Sequence, residues 1–238
     1  ITVFHNAGPT PQNTHDNQTM VNEAGYATGF VDWEVEETAS NTGLISDIAR
    51  DSVGNIYYNN NQDGYDGQIV KRNSVGVLQC TTRAADLDYT LAYSASGDPR
   101  DLVIDSENNV YMIGYSKASV NGETQLANPG YRSYDIFVVK YSSDCSNGYM
   151  PLIWTKQIGT NADDFAYIGE IQNDVIYIMG HTDGLWGAGS TTGGTVVVKM
   201  DTEGNTLNVS QLGDQTTFNS MIVASNGDYY VSGYIQFS

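Results

Sequence analysis

The chain has 238 residues, with 28 acidic against 10 basic side chains, a net charge of −18 and only 16% charged residues. That balance excludes nucleic acid as a partner, because phosphate would be repelled rather than neutralised, and it disfavours anionic membrane for the same reason. No stretch approaches the ~18 apolar residues of a membrane span, so no membrane insertion is expected.

The length suits one all-β domain with a substantial core. Few lysines, 17 tyrosines, 25 glycines and abundant Asn and Thr fit an extracellular or cell-surface β protein. The chain starts at Ile1 without Met and reads as a mature or trimmed product. Its acidity reads first as solubility and mutual repulsion; the sharper alternative is cation binding.

Segment 1–44 carries two expected strands. Val3-Phe-His5 opens it, a polar stretch Gly8–Asn22 follows, and Gly29–Glu36, containing Trp33, is the second. Glu34, Glu36 and Glu37 read as a charged guard on an outer strand. Segments 45–97, 98–160 and 161–213 each read as four short strands, a to d. Segment 214–238 reads as an a–b pair.

The repeat is anchored on a tyrosine of strand b: Tyr57, Tyr111, Tyr177 and Tyr230. The stretches before each, 47–56, 101–110, 167–176 and 220–229, align without a gap and end in Asn/Gly/Asp turns suited to tight hairpins. Three residues after the anchor stands Gly114, Gly180 or Gly233, with Asn60 in the first copy. Strand c has its own anchor in Ile69-Val-Lys71, Val138-Val-Lys140 and Val197-Val-Lys199, and Val3-Phe-His5 is a weaker copy. Strand d follows as Leu152–Ile158, with Trp154 matching Trp33, as Thr206–Leu212, and somewhere in Gly76–Tyr93.

Repeats of roughly 55–65 residues, each a four-stranded unit, predict a β-propeller of four-stranded antiparallel blades. Asp-Ser-x-Gly/Asn-Asn-Val/Ile-Tyr, then Gly-Tyr, Tyr-Asp-x-Phe-Val-Val-Lys and Leu-Ile-Trp-Thr-Lys-Gln-Ile-Gly resembles the bacterial β-propeller repeat family. Asp105–Gly159 carries the resemblance best, and looser copies cover most of Ile45–Tyr234. The resemblance implies a secreted or surface protein. It carries over no catalytic residues.

The b–c loops differ most between copies, and variable loops on a regular scaffold are the usual home of binding. The longest holds Tyr131; the third holds Leu185 and Trp186 among glycines, where an aromatic can stack on a sugar or plug a gap between blades. Asn59, Asn61, Asp63 and Asp66 resemble an integrin-type calcium loop, but Asn59 replaces the leading carboxylate and Tyr65-Asp66 already belongs to the repeat. A polar turn is the better reading, Ca²⁺ the alternative, and no other cofactor is expected. Cys80 and Cys145 lie in corresponding regions of successive repeats and read as a disulfide. Asn17-Gln-Thr and Asn208-Val-Ser fit N-glycosylation, and Ser52 in Asp51-Ser-Val fits bacterial O-glycosylation. His5, His15 and His181 are scattered, Asp163-Asp164 reads as a turn, and no catalytic motif appears, so no enzyme is expected.

The ends complement each other. The chain starts with a c–d pair and finishes with an a–b pair, so about four blades are expected, one shared between the two ends. The halves can close a ring within one molecule, join successive molecules head to tail, or belong to a longer propeller of which this chain is a piece. The function expected is a non-catalytic extracellular structural protein whose partner is itself. The alternative is a carbohydrate-binding propeller that uses its b–c loops, with glycans as partners.

Overall fold

A computed structural model describes residues 2–5, 19–21, 27–30, 33–36, 47–62, 66–83, 97–117, 119–121, 133–186, 193–212 and 216–235. These residues are all-β and antiparallel throughout. Three four-stranded sheets follow one another along the chain. The first is β5 (Ile48–Arg50), β6 (Ile56–Gln62), β7 (Asp66–Arg72) and β8 (Leu78–Arg83). The second is β9 (Gly97–Ile104), β10 (Val110–Ser116), β11 (Asp135–Tyr141) and β12 (Leu152–Ile158). The third is β13 (Asp164–Gln172), β14 (Val175–Thr182), β15 (Gly194–Asp201) and β16 (Thr206–Gln211). A pair, β17 (Thr216–Val223) and β18 (Tyr229–Ile235), ends the chain.

At the N-terminal end, β1 (Thr2–His5) pairs with β4 (Trp33–Glu36), with His5 opposite Trp33. Lys140 stands opposite Trp154 in the same way, so β1–β4 has the register of a c–d pair. The single strand expected over Gly29–Glu36 is two. β3 (Ala27–Phe30) pairs instead with β2 (Thr19–Val21), which lies inside the stretch read as a polar connection. Among the described residues β18 pairs only with β17, and β1 only with β4; the two halves are not joined to each other.

Three of the four b-strand anchors face a c-strand lysine: Tyr57 opposite Lys71, Tyr111 opposite Lys140, Tyr177 opposite Lys199. The repeating glycine also has a cause. Strand a bulges opposite Gly114, Gly180 and Gly233, so Arg100, Tyr167 and Asn219 are each an extra residue. The bulge drives backbone against the glycine: a Cβ on Gly180 would fall 1.8 Å from the Phe165 carbonyl oxygen. In the first copy the described β5 pairing ends at Tyr58, short of Asn60.

One expected alignment fails. Tyr177 pairs with Glu170, whereas Tyr111 pairs with Val103, so the third copy is one residue shorter before its anchor. Its hairpin is the two-residue turn Asn173-Asp174, with φ of 53° and 57°, both left-handed. The first two copies use a longer Asx-type turn. Asp51 accepts from the Val53 and Asn55 amides and the Asn55 side chain, and Asp105 does the same with Glu107 and Asn109. Asp201 builds the same turn between β15 and β16.

The sheets stack face to face. Tyr57 and Ile69 pack with Leu102, Met112 and Phe137 of the second sheet. Tyr111, Ile113 and Val138 pack with Ile176, Ile178 and Val196 of the third. Tyr177, Met179 and Val197 pack on Met221 and Val231 of the last pair. Burial on both faces explains the consecutive apolar residues of b and c.

Polar stitches run along one end of the stack, where a turns into b and c into d. Ser52 donates from its amide and hydroxyl to Asn108, and Ser106 likewise to Asp174. Lys71 Nζ reaches the Ser143 carbonyl at 2.6 Å, Lys140 that of Thr202 at 3.1 Å, and Lys199 that of Gly227 at 3.3 Å. Cys80 and Cys145 are bonded, with Cα atoms 5.7 Å apart. They are not equivalent positions: Cys80 stands opposite Lys71 on β8, where Trp154 stands opposite Lys140 on β12, and Cys145 lies in the next sheet's c–d turn. Trp154 Nε1 meets that turn of its own neighbour, donating to Thr202 O at 3.1 Å.

Candidate functional site

The opposite end, where b runs into c and d runs into the next a, carries an open pocket of about 680 Å³. Ile158, at the end of β12, and Val209, on β16, line its apolar side and continue the second core cluster. Leu185 and Trp186, from the β14–β15 loop, also line it; Leu185 is 53% exposed, and Trp186 is half-buried and packs against the same core cluster as Ile158 and Val209. Thr160, Asn161 and Thr206 supply polar groups. No side chain in this lining is titratable.

The walls are held from below. Gln211 clamps the loop through both ends of its amide: Oε1 accepts from Trp186 N at 2.8 Å and Nε2 donates to Gly184 O at 2.9 Å. Thr182 Oγ1 accepts from Gly184 N, and Asp183 N donates to Asp163 O. Across the pocket, Thr160 donates from its amide and hydroxyl to Asp164 Oδ2 at 2.5 and 2.9 Å. Asp164 is fully buried; burial raises its pKa above the ordinary carboxylate value, although Thr182 and Thr160 bond to it and act in the other direction. Asp163 Oδ1 accepts from Tyr134 N, so the Asp163-Asp164 pair ties strand a to β11.

Beyond the pocket, the same end carries rings. Tyr115, Tyr134 and Phe165 meet at centroid distances of 5.0–5.2 Å, and Arg100 donates to the Tyr115 hydroxyl at 2.6 Å. On the strands a, Asp47 Oδ2 accepts from Leu102 N at 2.8 Å and Asp101 Oδ2 from Gly169 N at 2.6 Å. Asp101 is partly buried and shares a hydrogen bond with Asp47. Burial first, then that bond and the Asp47 charge, push its pKa up to about 8. Burial and the charge of Asp47 also raise Glu170.

The sequence candidates fall as follows. Leu185 and Trp186 meet in the pocket. Tyr131, Asp63 and Asn17 lie outside the described residues. Asn59 turns inward on β6, fully buried, and its Oδ1 accepts from Asp47 N at 2.9 Å, so it serves the interior rather than a calcium loop. Asn61 and Asp66 lie on β6 and β7. Among the described residues no three His, Cys, Asp or Glu side chains are grouped to hold a metal. Ser52 Oγ is engaged by Asn108, and Asn208 is exposed on β16 with its amide donating to Ser210. His181 pairs with Asp183 at 3.0 Å. Gln211 and the Asp47–Asp101 pair escaped the sequence reading. Gln211 belongs to no repeating motif; Asp47 and Asp101 open the aligned stretches 47–56 and 101–110, and each accepts from a backbone amide of the next sheet's strand a, but their mutual contact is not visible in the repeat.

No family model matches the chain, and no curated protein matches it. A crystal structure of a protein of unknown function from Bacteroides caccae is similar at 13% identity, covering 84% of this chain and 76% of that one, with a TM-score of 0.30.

Proposed function

We propose that the chain is a non-catalytic extracellular structural protein of β-propeller type that assembles head to tail. The observation carrying this reading is an interrupted repeat. Tyr57 and Tyr111 are 0% exposed and Tyr177 3%, because a following sheet covers each; Tyr230, their counterpart, is 61% exposed. Ile222 and Tyr234 are exposed beside it.

Strand β18 offers the edge on which a c strand would add, and β1–β4 has the register of a c–d pair. Joining the two makes a complete a–b–c–d sheet. Between molecules that contact is heterologous, so it propagates. The disulfide Cys80–Cys145 supports an oxidising compartment. Light scattering over a concentration series, with electron microscopy, tests the reading. The expected result is growing oligomers or fibres, reduced to monomer by Tyr230→Glu without loss of β circular dichroism. A wild-type monomer at every concentration would overturn it.

A further inference from the structure

We propose that the pocket between Trp186 and Ile158 binds the ring of a neutral sugar, as a mono- or disaccharide unit. The argument rests on the pocket's chemistry and does not depend on the assembly reading. A pyranose has an apolar C–H face and a rim of hydroxyls. Trp186 and Leu185 give an aromatic and aliphatic wall for that face. The Asn161 amide and the Thr206 hydroxyl hold no other hydrogen-bond partner among the described residues and stand at the polar rim.

Charge narrows the ligand further. The chain carries −18, yet among the described residues no carboxylate lines this pocket to hold a cation and no Lys or Arg lines it to hold an anion. A buried charged group would go unpaired there, whereas hydroxyls can exchange water for Asn and Thr. The volume of about 680 Å³ lies within the range of small-molecule sites and exceeds one sugar ring.

The site is also preorganised. Gln211 fixes the backbone on both sides of Leu185, and Asp164 fixes Thr160. Binding would therefore order little of the protein, which is what a small neutral ligand with few contacts requires. The loop that supplies Leu185 and Trp186 lies at the end where the repeats diverge, and from there the lining runs along β16 to Thr206, beside the c–d turn.

The test is saturation-transfer NMR and tryptophan fluorescence with glucose, galactose, mannose, N-acetylglucosamine and their disaccharides, against glucuronic and sialic acids as charged controls. At least one neutral sugar should bind, and Trp186→Ala should weaken it at least about tenfold with circular dichroism unchanged. If Trp186→Ala does not fold, Asn161→Ala and Leu185→Ser, both at exposed positions, should each weaken binding. No neutral sugar binding at tens of millimolar, binding indifferent to all three substitutions, or binding of the acids alone would overturn the proposal.

Discussion

Lys140 stands directly across the β10–β11 ladder from Tyr111, and its ammonium lies 5.0 Å from the centre of that ring. Lys71 over Tyr57 at 5.3 Å and Lys199 over Tyr177 at 4.9 Å repeat the arrangement. In each case the lysine bridges to a carbonyl of the next sheet. The anchor pair thus couples one sheet's register to its neighbour's position.

Asp105 completes this unit in the second sheet. It accepts from Tyr111 OH at 2.8 Å and lies 3.3 Å from Lys140 Nζ, with both charged groups nearly enclosed. Asp105→Ala leaves a buried ammonium and a buried hydroxyl without this partner, and should cost about 3 kcal/mol in chemical denaturation. Burial opposes the Asp105 charge, but bonds from Asn109 and Tyr111, with Lys140, outweigh it and hold its pKa below the ordinary carboxylate value. The stabilisation is therefore present above the unfolded carboxylate pKa and lost as pH falls through the lower folded one. An acid limb identical in Asp105→Asn and wild type would refute this.

Asp101 predicts the opposite slope. A carboxyl whose pKa is raised by folding binds more protons folded than unfolded, so stability declines as pH rises from the acidic range through about 8. Asp47→Asn removes the neighbouring charge while keeping an oxygen for Leu102 N. In that variant Asp101 should titrate at lower pH in carboxyl-carbon NMR, and the decline should shrink. An unchanged Asp101 titration would show that burial alone raises it.

Gly180 and Gly148 separate steric from conformational need. Gly180 faces the bulged backbone of Phe165, with no room for a Cβ, whereas Gly148 at φ +81° has open space around it. Gly180→Ala should cost more than about 3 kcal/mol or prevent folding, and Gly148→Ala about 1 kcal/mol. Equal melting temperatures for the two variants would dispose of the bulge explanation.

The Cys80–Cys145 link closes a separation of 65 residues. Replacing both by Ser should lower stability by about 2–4 kcal/mol. Trp154→Phe at the corresponding junction loses one bond to Thr202 and should cost about 1 kcal/mol. A melting curve insensitive to reductant would count against the crosslink.

What the sequence by itself determined is what adjacent strands determine. Tyr57, Tyr111 and Tyr177 and their lysines were legible because the same residues recur at matching places in successive copies and hairpin turns set register locally, over a few residues. Glycines three residues beyond the anchors were legible too, although their cause, a bulge in the neighbouring strand, was not. The missing residue before Tyr177 was hidden, since Gln172-Asn-Asp resembles the other turns in composition, and its shorter length shows only in the strand register and in the left-handed Asn173 and Asp174. Tertiary structure alone decided the rest: that Gln211 grips the Trp186 loop, that Asp47 meets Asp101, and that Tyr230 stands uncovered. Each joins groups from separate strands or sheets. Such contacts depend on which faces stack, and stacking is driven by apolar area, which carries no address in the sequence.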